Sequence, residues 1–162
     1  NFKWKTSKGD VRYRRGMYTF FKRTAPDPNL ITFDCPDANV SITRRNISNN
    51  PIIALATLGN EVFHEAAQAL AKRIVETQLN SVDEKRIVEA FILCTSRMPK
   101  TYEIDEVKAL LKKSRDYYSE NVEEAKKMIG IHSIDNFKPS DLAPWVSVSR
   151  IILNLDETIT RE

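Results

Sequence analysis

Apolar side chains recur at the spacing of an α-helix along the last two thirds of the chain. Between residues 61 and 77 they lie on one helical face, and charged or amide side chains lie on the opposite face. The two sets are Phe63, Ala67, Leu70 and Ile74 on the apolar face, and Glu61, Glu65, Gln68 and Lys72 on the polar face. Such a stripe is typical of a helix that packs against a core. No strand-like alternation competes with it, so we predict an all-α fold.

Capping residues divide the region 51–162 into a bundle of about five predicted helices. Asn50 followed by Pro51 begins a short helix, because the Asn side chain can accept free N–H groups and Pro needs no N–H there. Gly59 ends this helix, and Asn60 caps the next one.

Two further helices are predicted from capping residues. Ser81 and Glu84 form a capping box for a helix that runs to about Cys94. Thr101 caps a much longer helix, whose apolar stripe continues to Gly130 at the C-cap position.

The last predicted helix covers residues 141–155, with Ser140 as its N-cap. Pro144 falls in its expected first turn, where a missing N–H costs nothing. Because this helix is apolar on most sides, we expect it at the centre of the bundle.

Residues 1–50 lack this periodicity and contain Pro26, Pro28 and Pro36. We predict one short helix at residues 15–22, after which the prolines force an extended path. At 162 residues, the chain is predicted to be a single helical domain, in which the irregular segment 1–50 docks on the bundle 51–162.

Composition narrows the possible functions. The 25 basic residues are nearly balanced by 22 acidic ones, for a net charge of +3, whereas a dedicated nucleic-acid binder usually has a larger basic excess. No apolar run approaches the roughly 20 residues that span a bilayer.

Cys35 and Cys94 are either both free or form one bridge in an exported protein. Cys94 shares a helical face with apolar residues, which favours a buried and inert thiol.

Metal sites and catalytic motifs are incomplete. Glu61 and His64 have the spacing of a bundle-core metal site, but His132 lacks a Glu at the matching offset. His64 and Glu65 also resemble the start of a zinc-protease motif, in which Gln68 stands where the second histidine is required. No phosphate-binding glycine loop or nucleophile elbow is present. We therefore predict no metal and no cofactor, and we identify no catalytic residue.

The segment 12–23 is rich in cations and aromatic rings, and we call it the basic aromatic segment. Its members are Arg12, Arg14, Arg15, Lys22 and Arg23, with Tyr13, Tyr18, Phe20 and Phe21. These side chains can bind phosphates and bases, or they can pin an irregular segment onto helices through ion pairs and cation–π contacts. The balanced charge of the chain favours the second interpretation. Nearby carboxylates include Asp34 and Glu157.

Four motifs of the chain, in order, resemble the planctomycete-type C-terminal domain of unknown function, number fifteen-fifty-three. They are RRGMYTFFKRTAP (14–26), TFDCP (32–36), RRNISNNPIIAL (44–55) and WVSVSRIILNLDE (145–157). The resemblance extends over residues 4–162. The chain departs from the family pattern at Asn50, Ile53 and Thr158, where the family has Thr, Gln and Phe.

The resemblance implies a cellular location and partner domains but no activity, since the family has no established activity. Its domain is longer, and this chain begins at Asn1 without an initiator Met, so we expect a C-terminal piece of a larger protein. Family members often carry an export signal and a cytochrome c-type domain. The resemblance therefore implies an extracytoplasmic location and partners within the same protein.

We expect a non-catalytic interaction or scaffold domain. The alternative is an acidic-glycan-binding or carbohydrate-active domain whose site is shared with a missing N-terminal half of the family domain. The candidate ligand or clamp residues are Arg14, Arg15, Tyr18, Lys22, Arg23, Asp34, Arg44, Arg45 and Glu157. In the clamp interpretation, Arg14 or Arg15 pairs with Asp34, Asp156 or Glu157 out of solvent. Phe20 and Phe33 then pack on the last helix.

Overall fold

The computed structural model describes residues 3–5, 7–37, 39–44, 46, 48, 50–78, 81–135 and 137–160. Within these residues the chain is all-α, as predicted, with eight α-helices and no strand. The helices are α1 (Pro28–Thr32), α2 (Pro51–Gly59), α3 (Glu61–Thr77), α4 (Asp83–Thr95), α5 (Thr101–Glu120), α6 (Val122–Ile129), α7 (Pro139–Leu153) and α8 (Asp156–Ile159). None of the described helices is long and apolar enough to span a membrane.

Helix α7 is the centre of the bundle, as its apolar sequence predicted. Helices α3, α5 and α6 pack around it. Six of its apolar side chains are each 1% exposed or less: Leu142, Ala143, Trp145, Val146, Val148 and Ile152. Burying a large apolar side chain contributes about 1.5–3 kcal/mol. This helix therefore supplies much of the driving force that assembles the fold.

The ends of α7 differ from the prediction. It begins at Pro139 with Lys138 as N-cap, so Ser140 is not the cap. Pro144 consequently lies inside the helix, where its missing N–H leaves the Ser140 carbonyl without the usual donor. The chain turns at Asn154, and α8 follows as a separate short helix.

The predicted capping box at Ser81 is wrong. Val82 is the N-cap of α4, without a side-chain capping bond. The Ser81 hydroxyl instead donates a hydrogen bond to Gln78 Oε1 at 2.7 Å.

The long helix predicted from Thr101 to Gly130 is two helices. Asn121 separates α5 from α6, and its side-chain amide donates to the carbonyl of Tyr117 at 2.8 Å. Lys100, not Thr101, is the N-cap of α5. Gly130 does end α6, with a φ of +56° that favours glycine.

The described part of residues 1–50 is largely irregular, as predicted, but it contains two departures. The helix expected at residues 15–22 is reduced to one 3-10 turn, Gly16–Tyr18. The path after the prolines is not extended throughout, because Pro28 begins α1. Asp27 caps α1 by accepting the N–H of Asn29 at 2.9 Å. Helix α1 packs on α2 and so joins this segment to the bundle.

Candidate functional site

The basic aromatic segment is anchored to the bundle by Arg12. Its Nη2 donates to a carboxylate oxygen of Glu65 on α3 and to the Tyr13 hydroxyl at 2.8 Å. The Glu65 pKa lies below its usual value, because the carboxylate accepts a hydrogen bond from Tyr13 and lies beside Arg12. The Tyr13 pKa is raised, because its hydroxyl is hydrogen-bonded to this carboxylate. Arg12, Tyr13 and Glu65 therefore form the contact that holds the start of the segment.

The next residues of the segment face solvent. Arg14 and Arg15 are both exposed, and neither forms an ion pair within the described part of the chain. Met17, Tyr18 and Phe20 are 73%, 67% and 70% exposed. These five residues, which we call the exposed patch, combine unpaired cations with large apolar side chains.

The carboxylates expected to pair with Arg14 or Arg15 have other partners. Asp34 Oδ2 accepts hydrogen bonds from the backbone N–H of Ser48 at 2.8 Å and from its hydroxyl at 2.6 Å. Glu157 pairs with Arg97. The prediction of an ion pair at Arg14 or Arg15 is therefore wrong, because the segment is held on α3 through Arg12 and leaves Arg14 and Arg15 exposed.

The expected aromatic packing is also different. The ring of Phe33 packs against Phe63 of α3, with 5.7 Å between ring centroids. Phe20 is exposed, so it does not pack on α7 as expected.

The remaining candidate residues are not gathered at one point. Arg23 and Arg44 are exposed and form no ion pair among the described residues, whereas Lys22 is half-buried and has an interaction partner. Arg45 lies outside the described residues. Asp34 lines a separate cavity of about 460 Å³ together with Phe21 and Cys35.

The two histidines do not form a metal site in the part of the chain that is described. No group of three His, Cys, Asp or Glu side chains comes together there. His64 Nε2 instead accepts from the Gln68 amide at 3.1 Å, and the same amide donates to the carbonyl of Met128 at 2.8 Å. Burial lowers the pKa of His64, which favours the neutral ring that can accept this bond.

Both cysteines are free thiols, and both are half-buried. Burial raises the pKa of Cys94, which lowers the fraction of the thiol that is present as the reactive thiolate. The burial expected of Cys94 is therefore only partial, and its inertness stays a prediction.

An arginine that the sequence did not single out, Arg97, pairs with two carboxylates. Arg97, between α4 and α5, binds Glu103 at 2.6 Å and also contacts Glu157 and the ring of Phe91. The Arg97 hydrogen bonds lower the pKa of Glu103 to about 2. The sequence feature that could have drawn attention to this contact is Glu103, because a Glu in the first turn of a helix often accepts a hydrogen bond from the N-cap residue.

Comparison with known proteins gives a family and no activity. The family model PSD1, described as a protein of unknown function (DUF1553), matches residues 1–111. The matched region includes the motifs at 14–26, 32–36 and 44–55, while the motif at 145–157 lies beyond it. Searches of curated proteins and of solved structures found no match.

Proposed function

The chain belongs to this family of proteins of unknown function, and we propose that it is a non-catalytic helical interaction domain whose partner binds the exposed patch. The partner is another domain of the same exported protein, such as a cytochrome c-type domain. The export and the partner domain rest on the family resemblance alone. The role of the patch rests on its chemistry.

One observation carries the proposal. Met17, Tyr18 and Phe20 each leave about two thirds or more of their surface in water. Beside them lie Arg14 and Arg15, which have no carboxylate partner in the described part of the chain. Interfaces are enriched in aromatic residues, Met and Arg relative to the rest of a protein surface. A partner surface with apolar groups and carboxylates complements this combination.

Hydroxyl-radical labelling of the full-length protein tests the proposal with an internal standard. Tyr18 and Tyr102 have similar exposure in this domain, 67% and 60%. If a partner domain covers the patch, Tyr18 is labelled much more slowly than Tyr102. Equal labelling of the two tyrosines would overturn the proposal.

A double substitution then tests whether the patch itself makes the contact. Met17→Ser with Phe20→Ser should restore labelling of Tyr18 to the rate of Tyr102. The matched control is Ile131→Ser, which removes an 85% exposed apolar side chain outside the patch and should leave Tyr18 protected.

The absence of catalysis is tested separately. The domain, screened against glycans, esters and phosphoesters, should give no turnover. A reproducible turnover that Asp34→Ala or Glu157→Ala abolishes would contradict the non-catalytic role.

A second candidate function is acidic-glycan binding or carbohydrate chemistry at the same segment. The unpaired Arg14 and Arg15 favour it, because guanidinium groups bind carboxylates and sulfates in a fixed geometry. Lys22, Arg23 and Asp34 would complete the site. Binding to an acidic polysaccharide, measured at two salt concentrations, should weaken at high salt. Loss of binding in Arg15→Ala at unchanged thermal stability would support this function, and the same loss in Lys113→Ala would show only nonspecific attraction.

A further inference from the structure

An open cleft separates part of the N-terminal segment from the first turns of α1 and α3. Its volume is about 710 Å³, which lies within the range of about 300–1,000 Å³ that is typical of small-molecule sites. Apolar side chains form much of its wall: Trp4, Leu30, Phe33, Val62 and Phe63. The cleft can therefore shield a ligand with one or two apolar side chains.

The cleft also carries unpaired charges of both signs. Lys5 and Arg14 reach it from the N-terminal segment, and Glu61 reaches it from the first residue of α3. None of the three forms an ion pair among the described residues. A complementary ligand consequently carries a negative and a positive group together.

Three other polar side chains of the wall, Asp27, Asn60 and Arg12, already have hydrogen-bond partners. Asp27 caps α1 through the N–H groups of Asn29 and Leu30, and Asn60 caps α3 through the N–H of Val62. Arg12 binds Glu65 through its Nη2, but its Nε is shielded from solvent and has no hydrogen-bond partner among the residues that the structure describes. An acceptor on a ligand could satisfy such a donor, whose isolation otherwise costs free energy.

We propose that this cleft binds a short zwitterionic peptide with apolar side chains. Its carboxylate pairs with Arg14 and Lys5, its ammonium group pairs with Glu61, and its side chains contact Trp4, Phe33 and Phe63. A polyphosphate or polyanionic ligand fits less well, because Glu61 and Asp27 would face its negative charge. The site shares Arg14 with the exposed patch, but Met17, Tyr18 and Phe20 do not line it, and the cleft proposal does not depend on a partner binding the patch.

The dipeptide Phe-Leu is the probe, and Trp4 fluorescence is the readout. The chain has only two tryptophans, and Trp145 is fully buried in the core. Phe-Leu should produce a saturable change in emission that Trp4→Phe removes. A calorimetric titration of the wild-type protein measures the affinity independently of Trp4 fluorescence. Absence of saturable binding in both measurements would overturn the proposal.

Blocked peptides separate the two charges of the ligand. N-acetyl-Phe-Leu lacks the ammonium group, and Phe-Leu amide lacks the carboxylate. Exposed ion pairs contribute about 0.2–1 kcal/mol, so each blocked peptide should bind up to about fivefold more weakly. Equal affinity of all three peptides would refute the zwitterion selectivity.

Variants assign each charge to its residue. Arg14→Gln should weaken Phe-Leu and N-acetyl-Phe-Leu and spare Phe-Leu amide. Glu61→Gln should weaken Phe-Leu and Phe-Leu amide and spare N-acetyl-Phe-Leu. Arg15→Gln is the matched control, since Arg15 is exposed and adjacent to Arg14 but does not line the cleft. An equal loss in Arg14→Gln and Arg15→Gln would refute the assignment.

The test is also independent of the proposed interaction surface. Met17→Ser with Phe20→Ser should leave Phe-Leu affinity unchanged. If the labelling experiment fails while Phe-Leu still binds, the interaction proposal is wrong and the cleft proposal stands. The reverse pattern refutes the cleft alone.

Discussion

Arg97 and Glu157, sixty residues apart in the chain, form an ion pair in which 2.5 Å separates Arg97 Nε from Glu157 Oε2. The same guanidinium donates two hydrogen bonds to Glu103, at 2.8 and 2.6 Å. Arg97 thereby joins the connection between α4 and α5 to α8, which follows the central helix. An arginine does pair with Glu157, but it comes from the bundle and not from the N-terminal segment.

Arg97→Ala should destabilise the fold by about 1–3 kcal/mol, because hydrogen bonds to charged groups are lost and Glu103 keeps a negative charge without its partner. Urea denaturation measures this change. Arg73→Ala is the matched control, since Arg73 of α3 is exposed and forms no ion pair within the ranges that the structure describes. Glu157→Ala should cost less than Arg97→Ala, since the Glu157 side chain is 52% exposed and such pairs are weak. Equal effects in Arg97→Ala and Arg73→Ala would contradict the structural role of Arg97.

Acid should remove the contribution of Glu103. Its usual pKa of 4.5 is lowered to about 2 in the folded protein, chiefly by the Arg97 hydrogen bonds. A depressed pKa stabilises the fold above the unfolded value, and this stabilisation is lost as the pH falls from about 4.5 to about 2. Between pH 6 and pH 2.5, the urea midpoint of the wild type should therefore decrease by more than that of Glu103→Gln. Parallel losses in the two proteins would show that Glu103 does not contribute in this window.

Substitution of Arg14 or Arg15, the two exposed arginines that follow Arg12 and Tyr13, should have little effect on stability. Arg14→Ala and Arg15→Ala are each expected to change the free energy of unfolding by less than about 0.5 kcal/mol, because both side chains are exposed and form no ion pair with any described residue. Arg12→Ala is the informative comparison, since Arg12 contacts Glu65 and Tyr13. It should cost more than either neighbour, as measured by thermal denaturation. A large loss in Arg15→Ala would restore the clamp interpretation that the structure contradicts.

Gly130→Ala should destabilise the protein by about 1–3 kcal/mol, since few side chains tolerate its backbone conformation. Its φ is +56°, and an added Cβ would lie 3.0 Å from the Gln68 side-chain nitrogen. Gly59→Ala is the control, because no atom lies within 4 Å of its added Cβ and its φ is not positive. We expect this second change to be neutral or stabilising by up to about 1 kcal/mol. Circular dichroism melting curves of both variants check the contrast.

Local signals in the sequence predicted several helix ends correctly. Asn50, Asn60 and Gly130 occupy the capping positions expected of them. Each cap depends on atoms within a few residues along the chain, so the residue type carries most of the information. Ser81 failed as a cap because a competing local partner, Gln78, takes its hydroxyl.

The candidate site was harder to predict than the fold. The sequence shows that the exposed patch is rich in arginine and aromatic residues, but it does not predict which of these side chains are exposed. The cleft was not foreseen, because Lys5, Arg14 and Glu61 come together only when the N-terminal segment lies beside α3. No periodic pattern encodes that docking.

The sequence by itself determined the all-α class and the central place of α7, because burial of apolar surface is nondirectional and depends mainly on which positions are apolar. Only the tertiary structure decided which charges meet. Arg97, and not Arg14 or Arg15, reaches Glu157, since a pair of charged side chains needs two specific atoms within a few ångströms. That condition depends on the path of the whole chain.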